Sequence, residues 1–482
     1  MLWIKLDNPA VLPTGTGYTC AFSHDSVYLA VGHYTSTYFK IFKRDGDTFT
    51  KLPDPAEMPA GPSYSCAFSH DSVYLAVGHY ESPYITIYKR DGDTFTKLDN
   101  PLELPAGQGY SCAFSHDTTY LAVAHQNSPY FTIYKRDGDT FTKLDDPAVL
   151  PPSHARGCAF SHDSAYLVVV WPTSDFIIIY KRDGDTFTKL PDPAEMPTAS
   201  SYSCAFSHDS VYLVVGHDTS PYITIYKRDG DTFTKLANPS SLPTGEGRGC
   251  AFSHDSAYLA VAHENSPFIT IYERDGDTFT KLDDPSELPT GLGRGCDFSH
   301  DSVYLAVAHE NSPFITIYKT VADITFYFNA RGDAVWTDPD NIVDNDLQTF
   351  GYTGAKKTAQ SLTGNSCPGT DLGLIAQVQL RLYGYGDGDD RIDITPVFLG
   401  GDGDRHETTP GTAPGWSSYI NITNDTNHPD WSLWSDIHDL DCIIDSVGVK
   451  ATRPIYCAKV EIRVAHSPPP LPAGRSFGFI IG

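Results

Sequence analysis

The residues with the greatest potential for chemistry in this chain come in multiples. The triplet Ser-His-Asp occurs seven times, around His24, His70, His116, His162, His208, His254 and His300. Serine, histidine and aspartate together invite a hydrolase reading. A catalytic triad, however, is assembled in space from separated positions, and seven identical copies are not one active site. Serine and aspartate at a tight turn satisfy local backbone groups, and that structural role is the expectation here. A second histidine recurs at His33, His79, His125, His217, His263 and His309, with Trp171 in the remaining place. Six histidines suggest a metal. If each belongs to the second strand of a separate sheet, their rings cannot converge within the ~2 Å that a metal–nitrogen bond requires. A repeated structural hydrogen bond is therefore expected. Arg-Asp-Gly-Asp lacks the further oxygen ligands of a calcium loop and reads as a hairpin.

The elements that carry these groups follow from the cysteines. Cys20, Cys66, Cys112, Cys158, Cys204, Cys250 and Cys296 are spaced 46 residues apart, inside a frame such as SCAFSHDSVYLAVGHYESPYITIYKRDGDTFTKL from Ser65 to Leu98. Each copy predicts four short strands: CAFS, VYLAVGH, YITIYK and TFTKL. The last three are β-branched, aromatic or alternating. Asp-Gly between the third and fourth predicts a type I′ hairpin turn, which needs positive φ at both central residues. Prolines gather between the fourth strand and the next first strand, where no ladder N–H is lost. Four strands at this period predict an all-β, seven-bladed β-propeller over residues 1–319. The cysteines, at one position of the inner strand, are expected to be seven buried free thiols acting as small apolar residues.

This frame resembles the WD40-type repeat. The resemblance covers the first 319 residues and implies the fold. Tyr-Lys-Arg stands where that family has Trp-Asp, and the Gly-His before the first strand is absent, so the family's hydrogen-bond network is not carried over. The seventh copy stops after its third strand, FITIYK. The opening MLWIKLDNP matches the tail of a repeat, with Lys5 aligned to Lys51 and Trp3 to Phe49. Residues 2–6 are expected to pair with residues 314–319 and close the ring, which removes exposed edges.

The copies differ mainly in two places. One is the linker before the first strand (PTGTGYT, PAGPSYS, PAGQGYS, PPSHARG, PTASSYS, PTGEGRG, PTGLGRG). The other is the loop after the second strand (HYTST, HYESP, HQNSP, WPTSD, HDTSP, HENSP). In a four-stranded meander both fall on one rim, and function tends to reside on loops held by a rigid scaffold. Trp171, Arg156, His154, Tyr34, Tyr80, Arg248 and Arg294 on this rim are the expected binding residues.

Residues 320–482 lose the repeat but keep strand-like runs, which predicts a β-sandwich, discoidin-like or jelly-roll-like. NIVDNDLQTF followed by TDLGLIAQVQLRLYGYG resembles the discoidin-like, galactose-binding-like sandwiches through Asp344, Asn345, Asp346, Thr349 and Asp371-Leu372-Gly373. That resemblance implies binding of glycans or lipid headgroups by loops at one end, and a structural calcium at Asp344 and Asp346. GYGDGDDRIDITPVFLGGDGD, GWSSYINIT and VEIRVAH look like accessory domains of phage and archaeal-virus structural proteins. Asp387, Asp389, Asp390, Asp402 and Asp404 read either as a hard-cation site or as a solvated hairpin pair. Arg331-Gly332-Asp333 is read as a chance triplet. Asn421 and Asn424 lie in sequons that matter only in a glycosylating pathway. Cys367, Cys442 and Cys457 allow a 442–457 or a 367–457 bridge, or none.

The bulk numbers bound the function. The chain has 482 residues and a formal net charge of -26. Such charge disfavours nonspecific binding to nucleic acid or to an anionic membrane surface. No apolar run is long enough to span a bilayer, and no secretory signal is visible. No distinct acid, base and electrophile set can be named among near-equivalent blades, so no enzyme is expected, and no cofactor beyond the calcium. The expectation is a non-enzymatic virion structural, decoration or adhesion protein, at a virion surface or extracellular. Its partners would be other virion or surface proteins, or host glycan or protein. The alternative is a secreted or cell-surface glycan-binding protein.

Overall fold

The computed structural model describes residues 2–173, 176–285, 287–344, 346–355, 358–367, 374–386, 391–447 and 454–467. The chain divides into two compact units, Trp3–Thr320 and Val321–Gly482, the second also taking Met1–Leu2.

The first repeat shows how a blade is made. β1 (Leu2–Lys5) precedes it. β2 (Gly17–Phe22), β3 (Tyr28–His33), β4 (Phe39–Asp45) and β5 (Thr48–Lys51) then form an antiparallel sheet in the order β2-β3-β4-β5. Six such four-stranded sheets succeed one another. In the seventh blade, Gly293–Phe298 pairs with Tyr304–His309, which pairs in turn with a strand that starts at Ile315, and β1 pairs with that strand. The Leu6 N–H donates to the Ile317 carbonyl at 2.8 Å, one step beyond β1. The seven-bladed propeller is therefore closed by the chain's opening residues, as the alignment of Lys5 with Lys51 predicts.

The hairpin turn differs from expectation. Asp45 pairs with Thr48, so the two loop residues are Gly46 and Asp47 rather than Asp45 and Gly46. Only the glycine takes positive φ, at 56°. That matches the requirement of a II′ turn, not of I′, and it leaves the second loop position free for a side chain that can reach outward.

Blades bury each other. β3 is buried at all six positions because a neighbouring sheet covers each of its faces. Ala21, Tyr28, Ala30 and Ile41 pack against Phe68, Leu75, Val77 and Tyr88 of the next blade. The same interface recurs around the ring to the last pair, where Tyr304, Ala306 and Ile317 meet Phe22, Leu29 and Phe42. Trp3 is 3% exposed. It meets Tyr258 and Phe298 edge-on at 5.7 and 5.5 Å, as Phe49 meets Tyr304 and Phe22 at 5.9 and 6.2 Å.

Polar clamps stitch the same interfaces. Tyr28 donates to Asp93 of the next blade at 2.5 Å, and Lys43 reaches the same carboxylate at 2.8 Å. In return Arg90 pairs with Asp25 at 2.5 Å and lies over the Tyr28 ring. The second aspartate of Arg-Asp-Gly-Asp is thus an inter-blade acceptor. The aspartate of Ser-His-Asp takes the Ser23 hydroxyl at 2.5 Å and the Val27 N–H at 3.1 Å, the turn role expected of it.

In the second unit, residues 322–327 of the long strand Ile315–Arg331 pair with Ile455–Ser467, and residues 328–331 pair with Ala359–Asn365. Leu374–Tyr385 extends the first ladder; Asp441–Val447 and Arg391–Phe398 extend the second. Phe326, Leu362, Leu380, Ile394, Trp434 and Val460 belong to one buried cluster. Cys367, Cys442 and Cys457 are all buried. Among the described residues no helix is long and apolar enough to cross a membrane.

Candidate functional site at the two mouths of the propeller axis

The first strands of adjacent blades touch one another around a complete ring, so they line the axis. Their side chains stack along it in layers. The cysteines form a middle layer shared by two cavities, of about 290 and 170 Å³. Five of the repeat cysteines are buried as expected. Cys204 and Cys250, which line the smaller cavity, are only partly buried. Asp297, in place of the alanine of the other copies, is the one carboxylate lining the larger cavity among the described residues. It accepts the Phe22 N–H at 2.7 Å, and burial pushes its carboxyl up to about 7.

One mouth is built from the position two residues before each cysteine: Tyr18, Tyr64, Tyr110, Arg156, Tyr202, Arg248 and Arg294. Arg156 lies over Tyr110 at 4.8 Å, Arg248 over Tyr202 at 4.6 Å, and Arg294 over Tyr18 at 5.0 Å. Tyr64 fills the gap, 5.1 Å from Tyr18 and 5.8 Å from Tyr110. Glu246 pairs with Arg248 at 2.5 Å and Glu310 with Arg294 at 3.5 Å. Arg156 has no carboxylate partner among the described residues. The Nε atoms of all three arginines are buried without a hydrogen-bond partner.

Six of the seven expected binding residues gather here. Tyr34, 55% exposed, stands 6.3 Å from Tyr18, and Tyr80, 42% exposed, stands 6.3 Å from Tyr64. His154 stands 6.3 Å from Tyr110. Trp171 is the exception and a correction. It is 3% exposed and lies in the core with Ile133, Ala155 and Ile178. It occupies the buried column that histidine fills in the other blades, so its large ring extends the core rather than the contact face. The four tyrosines were missed as site residues, although their signal is in the sequence: one axial position varies between tyrosine and arginine within a frame that scarcely varies.

The second-strand histidines are buried and separate, as reasoned. His79, for example, meets Thr86 at 3.0 Å, and His125 meets Thr132 at 2.9 Å. The Ser-His-Asp histidines behave otherwise. All seven turn to the axis and form the opposite mouth. Ring centroids between neighbours run 4.1 Å (His24–His70), 3.4 Å (His70–His116), 3.5 Å (His116–His162), 4.5 Å (His162–His208), 4.5 Å (His208–His254), 3.4 Å (His254–His300) and 5.2 Å (His300–His24). Burial first, then the neighbouring imidazoles, hold His24 and His162 down to about 2 and His208 to about 3. These imidazoles are neutral at pH 7. The turn reading holds for serine and aspartate but left out where the histidine between them points.

In the second unit, Asp344 accepts the Asp346 N–H at 2.9 Å and the Thr349 hydroxyl at 2.7 Å, and Asp346 accepts the Gln348 N–H at 2.8 Å. Asp387, Asp389 and Asp390, with Asn345 and the Asp371-Leu372-Gly373 stretch, lie outside the described residues. Asp402 and Asp404 are described, and Asp404 takes the Thr426 hydroxyl at 2.7 Å.

No protein-family model matches the chain. No curated protein matches it. Among solved structures it is similar to Kuenenia stuttgartiensis hydrazine synthase, with a TM-score of 0.52 and 14% identity, covering 65% of this chain and 99% of that one. It also matches the β-propeller domain of Cps50 (Swd1) from Myceliophteria thermophila, with a TM-score of 0.49 and 13% identity, covering 64% and 98%. At such identity the first likeness shows the propeller fold alone.

Proposed function

We propose that this is a non-enzymatic recognition protein whose tyrosine–arginine mouth contacts a polar partner, glycan or protein, on an exposed surface such as that of a virion. The observation that carries this reading is the placement of sequence variation. Where near-verbatim repeats depart from one another, the departures meet at one axial mouth. A rigid propeller presenting varied loops is consistent with an interaction role. Aromatic faces with guanidinium groups whose Nε atoms lack acceptors suit a ligand rich in oxygen acceptors. The C-terminal unit is read as a sandwich that anchors the propeller or binds a second partner, with calcium at Asp344 and Asp346 as part of that reading.

The test is binding of the full chain to glycan and surface-protein arrays, with Arg156→Ala and Tyr110→Ala as paired variants. Hot-spot residues, enriched in tyrosine and arginine and clustered near the centre of a contact face, cost about 2 kcal/mol or more when truncated. Each variant is expected to lose roughly thirty-fold in affinity. Binding by the full chain that neither variant disturbs would move the site away from this mouth. Electron microscopy of the native source tests the virion placement; free monomers alone would remove it and favour the secreted glycan-binding alternative.

A further inference from the structure

The seven-imidazole mouth has a chemistry of its own, independent of the recognition reading above. Two sets of three histidines, His70/His116/His162 and His162/His208/His254, hold their ligand nitrogens within 4.8 Å of one another. Tetrahedral zinc with ~2.1 Å bonds needs nitrogens about 3.4 Å apart, so small side-chain rotations complete the set. The Nδ1 atoms of His70 and His254 are buried with no hydrogen-bond partner. The Nδ1 of His208 lies 3.1 Å from the Ser253 carbonyl. A backbone carbonyl in that position is what commonly fixes the tautomer of a ligating histidine and leaves Nε2 free.

What stands beside the ring narrows the cation. Of the seven aspartates that follow these histidines, six are ion-paired with an arginine of a neighbouring blade: Asp25, Asp71, Asp117, Asp163, Asp209 and Asp301. Their carboxylates are engaged away from the axis. The seventh, Asp255, accepts the Ser253 hydroxyl and the Ala257 N–H, and Asp297 in the adjoining cavity accepts the Phe22 N–H. The donors at the ring itself are imidazoles, which suit late first-row divalent ions and not magnesium or calcium.

We infer that the Ser-His-Asp histidines form an axial site for one late first-row divalent cation, zinc or a close analogue. His162 belongs to both triplets, so its loss should be felt in either arrangement. Two dications a few ångströms apart repel, which sets the expected stoichiometry at one per chain.

The experiment titrates the metal-stripped full chain with Co²⁺ and Zn²⁺ near neutral pH. One Co²⁺ per chain is expected, with visible d–d bands and no thiolate charge-transfer band; that absence distinguishes the imidazole ring from the repeat cysteines, several of which line the adjoining cavity. His162→Gln should weaken binding at least ten-fold, while His154→Ala, at the opposite mouth, leaves it unchanged. Should His162→Gln fail to fold, anomalous scattering at the zinc edge from crystals of the unaltered protein decides the matter. A peak at the ring centre supports the site. A thiolate band, equal binding by folded His162→Gln, or no peak after zinc soaking overturns it.

Discussion

Two ends of the same seven strands carry opposite designs. Six residues separate Tyr18 from His24, yet the position of Tyr18 varies around the ring while that of His24 is histidine in every copy. The histidine end is flanked by aspartates and arginines that clamp blade to blade, so each copy must offer the same groups to the next. The tyrosine end opens beside loops that meet solvent, and there a copy can change without breaking its neighbour. Repeat identity is thus kept where blades read one another and relaxed where the loops meet solvent. The sharpest way to break this comparison is to disturb each side and ask whether stability or binding responds.

The largest expected effect comes from acid. His33, His79, His125, His263 and His309 are held down to about 4, chiefly by burial. In the unfolded chain an imidazole titrates near 6.5. Between those values the unfolded chain binds a proton that the folded one does not, so unfolding takes up protons. Stability is complete above pH 6.5 and drains as pH falls towards 4, by on the order of 1 kcal/mol or more per histidine. Denaturant midpoints measured from pH 7.5 to 4.5 check this; a flat profile would show that these histidines accept protons in place.

Next comes closure. Trp3→Ala removes a buried ring from the last interface and should cost about 3–5 kcal/mol, as Phe49→Ala should in the first repeat. Urea unfolding of both variants makes the comparison direct. If Trp3→Ala costs under about 1 kcal/mol while Phe49→Ala costs the full amount, the opening strand is not what holds the seventh blade. Arg156→Ala supplies the contrast. Its guanidinium faces the open mouth, so stability should change by no more than about 0.5 kcal/mol while binding falls. A large stability loss there would make the varied ring structural.

Much of the propeller was legible in the sequence because its cause is local. Cysteine spacing sets the period, alternation sets the strands, and the match of Trp3 to Phe49 sets the closure. What escaped depends on direction rather than pattern. The turn loop is Gly46–Asp47, one residue further on than Asp-Gly suggests, because ladder pairing continues through Asp45 and leaves Asp47 to serve the neighbouring blade. Trp171 looked like a contact residue because it replaces histidine within a variable stretch, but the strand it ends is covered on both faces. The histidine ring was hidden by the same repetition that makes it: seven copies read as seven turns until the fold brings them round one axis. In the second unit no repeat supplies a register, and Leu374–Tyr385 finds Ile455–Ser467 across some eighty residues, a pairing that no local pattern announces.

The smallest effect separates the two kinds of clamp. Lys43 and Tyr28 both reach Asp93, at 2.8 and 2.5 Å, but the lysine side chain is 44% exposed and the carboxylate 47%. Water screens that ion pair and keeps the lysine stem mobile, so such pairs contribute little. Tyr28 is buried against Phe95, and its hydroxyl has no comparable access to solvent. Tyr28→Phe should therefore lower stability by about 1 kcal/mol, the usual net worth of a hydrogen bond, with more if the Asp93 carboxylate is left short of a donor. Lys43→Ala should leave the urea midpoint where it was, at low salt as at high. If the order is reversed and Lys43→Ala shows a salt-dependent loss exceeding that of Tyr28→Phe, then charge and not the buried hydroxyl joins the blades, and the identity of the invariant side would rest on long-range electrostatics instead of contact.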